Sequence, residues 1–245
     1  MRRCRTGAGS RGRPTMRILR VAAILVAGVL ACLTGTSTAA AQSACPDLGG
    51  AVGPDGTCTV HSANSTYTLD ITFPNDYPDQ QALTAYLTQA RDGFVNVSEM
   101  PGSYNLPYEL DAKGTGYRSG SPTGGTQSVV FTMWQNVGGV HPQTWYNSFN
   151  WDLGKKAPIT FDTLFKPGTK PLDVIYPAVE QYLQKQQGMI DGIPPSVGLD
   201  PAKYQNFALT DDSLIFFFSQ GELFTESAGP VEASVPRATV APLLA

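Results

Sequence analysis

The segment Thr126–Asp152, TQSVVFTMWQNVGGVHPQTWYNSFNWD, decides how the rest of the chain is interpreted. It contains all three tryptophans of the chain and one of its two histidines, His141. Apolar runs lie on both sides of Gly138–Gly139, a pattern that predicts two strands joined by a turn. In the first strand, apolar residues occupy both alternating sets, which predicts a strand covered on both faces in the middle of its sheet. The hairpin is therefore interpreted as core, with His141 at its tip.

The remaining patterns predict an α+β fold with a mainly antiparallel sheet and two amphipathic helices. A helix capped by Asp79 follows the alternating strand Tyr67–Phe73, and a second helix begins near Pro171. Gly114–Gly125 is predicted to be a loop, and the apolar run Ile215–Phe218 a strand buried on both faces. The strand-helix-strands order, repeated loosely in two halves, favours antiparallel pairing over βαβ units. Further predicted strands are Leu106–Ala112, Phe207–Leu209, Ser213–Ser219 and Val231–Val235.

Residues 1–41 are predicted to be a secretory signal that is removed. Within Met16–Ala41, two arginines precede an apolar stretch, and three small residues precede Gln42. Cleavage is therefore predicted between Ala41 and Gln42. Residues 1–15 carry no apolar pattern, so Met16 is an alternative start of the protein.

A second processing route is open. The tetrapeptide Val29-Leu30-Ala31-Cys32 resembles a bacterial lipobox, in which a lipid is attached to the cysteine. Lipid attachment at Cys32 would tether the protein to the cell envelope, whereas cleavage after Ala41 would release it.

The charge of the exported chain excludes nucleic acids as partners. Seven of the 17 basic residues and none of the 20 acidic residues precede Gln42, so residues 42–245 have a net charge of −10. Binding to phosphate backbones requires a basic surface. After removal of the signal, no transmembrane segment is expected. We expect a secreted monomer whose partner is an unknown protein or a component of the host or the cell envelope.

Cys45 and Cys58 remain after the signal is removed, and we predict a disulfide between them because exported proteins reach an oxidising environment. The glycine-rich loop between them can bring the thiols together. Closing a loop of this length stabilises a protein by about 3 kcal/mol in the chain-entropy account. The chain offers two histidines and no second cysteine pair, so no metal site and no cofactor are predicted.

No G-x-S-x-G motif of the common serine hydrolases occurs in residues 42–245. The tripeptide Asp212-Ser213-Leu214 matches a lipase block weakly and lies in a predicted hairpin. Any serine mechanism would need His61 or His141 as its base. His61 lies in a polar segment and is expected to be exposed, so His141 is the candidate. The alternative role of His141 is a structural hydrogen bond in the turn.

Three pairs of acidic residues are further candidates for chemistry. The pairs Asp76/Asp79 and Asp211/Asp212 are interpreted as turn residues rather than calcium ligands, because aspartate bonds its own backbone in turns. Glu222 and Glu226 form a possible carboxylate pair for glycoside hydrolysis, although no spacing rule supports that role.

Several segments together resemble the secreted mycobacterial immunogenic antigen family. The resemblance extends over nearly all of residues 42–245 and includes the Cys45/Cys58 pair. Some of the segments that carry it are Gly125–Val130 (GTQSVV), Gln135–Pro142 (QNVGGVHP), Ile159–Leu164 (ITFDTL), Tyr204–Ala208 (YQNFA) and Ala228–Pro230 (AGP).

From about Trp151 the chain also resembles the C-terminal domain of RsiV-type anti-sigma factors, a domain of unassigned activity. The two resemblances imply an N-terminal α+β part, residues 42–150, and a C-terminal domain, residues 151–245. They imply a virulence-associated secreted protein and, for some relatives, an esterase. Two hypotheses follow: a non-enzymatic binding protein that acts on host or envelope components, or a weak secreted esterase. The resemblance assigns no catalytic residue.

Overall fold

The structure is a computed structural model that describes residues 43–187 and 192–245. The predicted signal, its cleavage site between Ala41 and Gln42, and the alternative lipid-attachment residue Cys32 lie outside these residues. The described residues form mixed helical and strand structure, which confirms the predicted α+β class. We call residues 43–158 the N-terminal part and the described residues from 159 onwards the C-terminal part.

The N-terminal part is organised around a seven-stranded sheet whose strands lie side by side in chain order. Its helices are α1 (Ala44–Asp47) and α2 (Gln80–Ser98). The predicted hairpin forms its fifth and sixth strands, so the fifth strand has a neighbour on both sides, as expected. The strands are β1 (Ala51–Val52), β2 (Thr57–Ala63), β3 (Tyr67–Pro74), β4 (Tyr108–Ser119), β5 (Thr126–Asn136), β6 (Gln143–Asp152) and β7 (Ala157–Pro158).

The sheet is mainly antiparallel, as predicted, but one pair of its strands is parallel and forms a βαβ unit that was not predicted. Strands β3 and β4 run in the same direction, with Leu69 opposite Leu110. The 19-residue helix α2 connects them. A helix of this length extends about 28 Å, close to the roughly 26 Å of an eight-residue strand. It therefore returns the chain to the end of the sheet at which β3 began. The other neighbouring strands of this sheet are antiparallel.

Helix α2 covers one face of the sheet, as its apolar stripe predicts. The carboxylate of Asp79 accepts a hydrogen bond from the Ala82 amide at 3.0 Å and caps the helix, as predicted. Leu83, Leu87 and Phe94 of α2 are buried in one hydrophobic cluster with alternate residues of the strands. The strand residues of this core include Leu69, Ile71, Phe73, Leu110, Ala112, Phe131 and Met133.

The predicted disulfide between Cys45 and Cys58 is present, with the two Cα atoms 5.6 Å apart. It joins α1 to β2 at the edge of the same core, where both cysteines are fully buried. Strand β2 was not predicted, because its exposed residues are mostly polar. Its first residues nevertheless alternate: Cys58 and Val60 face the core, whereas Thr59 and His61 are exposed.

The predicted loop Gly114–Gly125 is wrong over its first half, because β4 continues to Ser119. Gly114 belongs to this strand for a packing reason. A Cβ at Gly114 would lie 2.7 Å from the Cβ of Phe73 and 3.0 Å from the ring of Phe131. Glycine permits that close approach within a strand. The start of the strand also shifts, from the predicted Leu106 to Tyr108.

The C-terminal part contains a three-stranded antiparallel sheet with β9 in the middle. Leu214, Phe216 and Phe218 face its core, and Phe217 is buried on the opposite side, as predicted for a strand covered on both faces. Pro177 lies within α4. The elements are α3 (Phe161–Leu164), α4 (Leu172–Gln187), α5 (Pro195–Gly198), β8 (Phe207–Leu209), β9 (Ser213–Phe218), β10 (Val231–Pro236) and α6 (Arg237–Val240).

The C-terminal part closes the free edge of β6. Three alternate backbone amides of that strand donate to side chains of the C-terminal part: Thr144 to Gln220 at 3.1 Å, Tyr146 to Ser219 at 3.1 Å and Ser148 to Asn206 at 3.0 Å. These side chains supply the acceptors that a further strand would provide. Nearby, Val130, Ala208 and Phe217 form a small buried cluster between the two sheets.

Candidate functional site

The tip of the predicted hairpin meets two other segments at one end of the large sheet. We call this the hairpin end and define it as residues 97–108, 137–144 and 219–229. Gly138 turns the chain with a φ of 72°, and a Cβ there would lie 2.9 Å from the carbonyl oxygen of Tyr104. Glycine is therefore needed for both conformation and space. On the other side of the tip, the amide of Gln220 donates to the carbonyl of Thr144 at 3.0 Å.

His141 lies at this end and is half exposed. Its Nε2 atom is 3.0 Å from a carboxylate oxygen of Glu226, and its Nδ1 atom is 3.2 Å from the carbonyl oxygen of Pro142. Both partners are hydrogen-bond acceptors, and a neutral imidazole has one N–H to donate. The two hydrogen bonds therefore coexist when the ring is protonated. In this arrangement His141 holds the turn against the loop that carries Glu226.

Among the described residues, the hydrogen-bond partners of His141 do not include a serine hydroxyl. Ser219 lies in the same region, but its Oγ accepts from the amide of Tyr146. Its own amide donates to Glu222 at 2.7 Å. Burial raises the pKa of Glu222, and the hydrogen bond from Ser219 and the nearby charge of Lys203 oppose that rise. Glu222 and Glu226 therefore engage different partners.

His61 also has a carboxylate partner, which sequence reasoning did not anticipate. Its Nδ1 atom lies 2.7 Å from Asp70, the residue opposite it on β3. This contact leaves Nε2 of His61 available, the arrangement that orients a histidine base in serine hydrolases. His61 is exposed, as expected from its polar segment.

A narrow groove lies beside the hairpin end, between α2 and the ends of β5 and β6. Its volume is about 450 Å³. The indole N–H of Trp145 donates to the hydroxyl of Tyr86 at 3.1 Å and fixes two of its aromatic side chains. Burial raises the pKa of Tyr86, and the hydrogen bond from Trp145 acts in the opposite direction. The groove is lined by Tyr86, Gln89, Ala90, Gly93, Phe94, Val97, Gln135, Val137 and Trp145.

Exposed apolar side chains concentrate at the hairpin end. In the described parts of the chain, seven large apolar residues are exposed, and five of them belong to the hairpin end. Val140 at the tip is fully exposed, and Tyr104 is 65% exposed. The other three at this end are Val97, Met100 and Leu106.

The remaining sequence candidates have structural roles. Asp76 accepts from Arg118 and Gln127, and Asp79 caps α2. Asp211 accepts from the amide of Gly120 at 2.7 Å. Ser213, the serine of the weak lipase-like block, begins β9, and its amide donates to Thr210.

Within residues 43–187 and 192–245, no group of three or more histidine, cysteine, aspartate or glutamate side chains is placed to hold a metal ion. No helix within the same residues has the length and apolar character needed to cross a membrane.

Comparison with known proteins places the chain in a family. It is 53% identical over 228 residues to a Mycobacterium tuberculosis protein named Esterase Rv3036c, covering 93% of this chain and 99% of that protein. It is 42% identical over 230 residues to the M. tuberculosis Immunogenic protein MPT64, covering 94% of this chain and all of that one. The chain belongs to the MPT64 family of mycobacterial immunogenic proteins. This confirms the resemblance inferred from the sequence.

The C-terminal part of this MPT64-family chain matches a second family. Residues 162–238 match DUF3298, which is described as a protein of unknown function. A solved structure of a DUF3298 family protein from Pseudomonas aeruginosa superposes with a TM-score of 0.53 at 12% identity, covering 77% of this chain and 94% of that one. That likeness concerns the fold alone. The matched segment runs from α3 to α6.

Sequence reasoning missed the groove and the partner of His141. Gln135 and Trp145 line the groove from the hairpin, whereas the other wall comes from α2, far away in sequence. One local signal was present: Gly93 interrupts the apolar stripe of a predicted helix, where glycine is unfavourable. Nothing local connects His141 with Glu226.

Proposed function

We propose that this MPT64-family protein is secreted and acts as a non-enzymatic binding protein that recognises a protein or an envelope component of the host or the cell. The observation that carries the proposal is the concentration of exposed apolar side chains at the hairpin end. Five of the seven exposed large apolar residues in the described chain lie there, four on residues 97–108 and one at the hairpin tip. Exposed apolar patches of soluble proteins commonly mark interaction surfaces.

The export pattern and the charge support the same proposal. Residues 1–41 have the composition of a cleaved secretory signal, and the Cys45–Cys58 disulfide suits an oxidising environment. The net charge of −10 over residues 42–245 keeps the protein soluble despite the apolar surface. Release after Ala41 is proposed over lipid attachment at Cys32, and the mass of the mature N-terminus tests that choice. A diacylated Cys32 would contradict release.

Capture from host and envelope extracts tests the binding role. Immobilised wild-type protein is compared with a triple variant, Met100→Ser, Tyr104→Ser and Val140→Ser, which removes exposed apolar surface without touching the core. Val52→Ser is the matched control, since Val52 is exposed on β1, toward the other end of the sheet. We expect a partner retained by the wild type and the control and lost by the triple variant. Capture of nothing above background, or equal capture by the triple variant, contradicts the proposal.

Ester hydrolysis is the second candidate function. Two observations favour it: the relative named Esterase Rv3036c is 53% identical, and His141 lies 3.0 Å from the carboxylate of Glu226. His141 would act as the general base for a serine that is not assigned. For this role its ring must exchange one of its two acceptor partners for a nucleophile.

Hydrolysis of short p-nitrophenyl esters by purified protein separates the two functions. The variant His141→Ala is compared with His61→Ala, which removes the other histidine–carboxylate pair. Loss of activity in His141→Ala alone supports the esterase with His141 as its base. Hydrolysis at the background rate, or activity unchanged in His141→Ala, excludes this assignment.

A further inference from the structure

We propose that the groove between α2 and the hairpin binds a single unbranched acyl chain, as found in fatty acids and their esters. The inference deepens the proposed function, because the groove opens on the same apolar hairpin end. The binding function could hold with another ligand class at that surface.

The lining of the groove fits an uncharged, apolar ligand. Phe94, Val97, Val137 and Trp145 supply apolar surface, and no residue that lines the groove carries a charge. The phenol of Tyr86 is occupied by the indole N–H of Trp145. Gln89 and Gln135 are the polar side chains of the lining. An ionised group placed inside would therefore lose its water without gaining a partner of opposite charge.

The length of the groove favours a chain-like ligand. The lining residues of α2 extend from Tyr86 to Val97, a rise of about 16 Å along the helix axis. The groove has a volume of about 450 Å³ along that length. Carbon atoms in contact lie about 3.5–4.0 Å apart, so an extended hydrocarbon chain can contact the groove wall along its whole length.

An extended peptide is a poor occupant because its backbone is polar. Each residue of such a peptide brings an amide and a carbonyl that need hydrogen-bond partners when they leave water. The groove offers the side-chain amides of Gln89 and Gln135 for this purpose. A peptide along the groove would leave most of its backbone groups unpaired, whereas an acyl chain has none to pair.

Gly93 keeps the groove open. It lies inside α2, and a Cβ built there meets no atom within 4 Å. Packing therefore does not require glycine at this position, and its φ lies outside the left-handed region. Glycine is nevertheless less favourable than alanine inside a helix. A side chain at residue 93 would project into the groove. Glycine at this position therefore lowers the stability of α2 but leaves the groove unfilled.

Binding of soluble lipids to the mature protein tests the inference directly. Hexanoic, octanoic, decanoic and dodecanoic acids and the matching alcohols are titrated below their micelle concentrations, with calorimetry and tryptophan fluorescence as readouts. We expect the affinity to rise about fourfold with each added methylene, until the chain is as long as the groove. Each alcohol should bind at least as tightly as its acid, because no charged residue lines the groove to replace the water that the carboxylate would lose.

The variant Gly93→Leu fills the groove and should lower the affinity for the longest bound chain at least tenfold. Ala85→Leu adds the same side chain at an exposed position of α2 outside the groove and should bind like the wild type. Thermal unfolding checks that Gly93→Leu stays folded, as expected for a helix that loses a glycine. Affinity that does not depend on chain length, or unchanged binding by Gly93→Leu, overturns the inference. A partner captured from extracts by the hairpin end would still support the binding function in that case.

Discussion

Ser148 and Asn206 hold the two parts of the molecule together through complementary hydrogen bonds. The amide of Ser148 donates to Oδ1 of Asn206 at 3.0 Å, and the amide of Phe207, the next residue, donates to Oγ of Ser148 at 3.1 Å. The two residues are 58 positions apart in the chain. Each side chain thus satisfies a backbone amide of the opposite part.

We expect Asn206→Ala to lower the free energy of unfolding by about 1–2 kcal/mol, because the amide of Ser148 loses its acceptor in a partly buried position. Urea denaturation followed by far-ultraviolet circular dichroism measures the change. Gln205→Ala is the matched control, since that exposed side chain bonds the carbonyl of Pro201 within its own segment. Equal losses of unfolding free energy in the two variants would show that the hydrogen bond of Asn206 stabilises the protein no more than a surface contact does.

Removal of the disulfide should lower the free energy of unfolding more than Asn206→Ala does. Replacing Cys45 and Cys58 together by alanine frees a loop with a sequence separation of 13. The unfolded chain gains conformational freedom, and we expect a loss of about 3 kcal/mol. The midpoint of urea unfolding measures this, and added reductant should destabilise the wild type but not the double variant. A double variant as stable as the oxidised wild type would contradict the expectation.

Two glycines should respond to alanine in opposite directions. At Gly114 the new Cβ would lie 2.7 Å from Phe73 within the core, so we expect Gly114→Ala to lose about 1–3 kcal/mol through overpacking. At Gly93 there is open space, and Gly93→Ala should gain about 0.5–1 kcal/mol. Thermal and urea unfolding of the pair measure the contrast. Stabilisation by both substitutions would mean that β4 does not pack against Phe73 as described.

The free energy of unfolding should depend on pH through the protonation of Glu222. Its pKa in the folded protein is raised by burial above the ordinary value of 4.5. Protonated Glu222 therefore favours the folded state below about pH 4.5. This contribution is lost as the pH rises through the raised pKa of the folded state. Glu222→Gln does not titrate and can still accept from the amide of Ser219. We expect it to be more stable than the wild type at pH 7, with a difference that shrinks as the pH falls toward 4.

The matched control for Glu222→Gln is Glu99→Gln, an exposed residue that follows α2. This variant separates the loss of one negative charge from the effect of burial. Stability curves of Glu222→Gln and the wild type that remain parallel from pH 4 to 7 would contradict the role of Glu222.

Local patterns predicted the elements whose determinants are close together in sequence. The cap at Asp79 and the stripe through Leu83, Leu87 and Phe94 define α2, because capping and helical periodicity act within a few turns. The disulfide followed from the cellular environment and from having two cysteines available. The hairpin of β5 and β6 followed from its turn and its flanking apolar runs.

The features that the sequence did not reveal depend on contacts between distant segments. Gly114 and Gly116 look like loop residues by composition, and only the position of Phe73 and Pro74 explains them as strand residues. The parallel pairing of β3 with β4 depends on the length of α2 relative to β3. It therefore cannot be inferred from any one of the three elements alone. The groove needs Gly93 and Trp145 on facing walls, more than 50 residues apart in the printed sequence.

The acceptors that Gln220, Ser219 and Asn206 present to β6 also matter for how the protein can be divided. A fragment that stops near Pro158 would keep the large sheet but expose a row of unsatisfied amides along a hydrophobic strand. Such an edge invites the same strand of another copy to add on, the first step toward ordered aggregates. The C-terminal part therefore covers an edge that could otherwise pair with another copy of the chain.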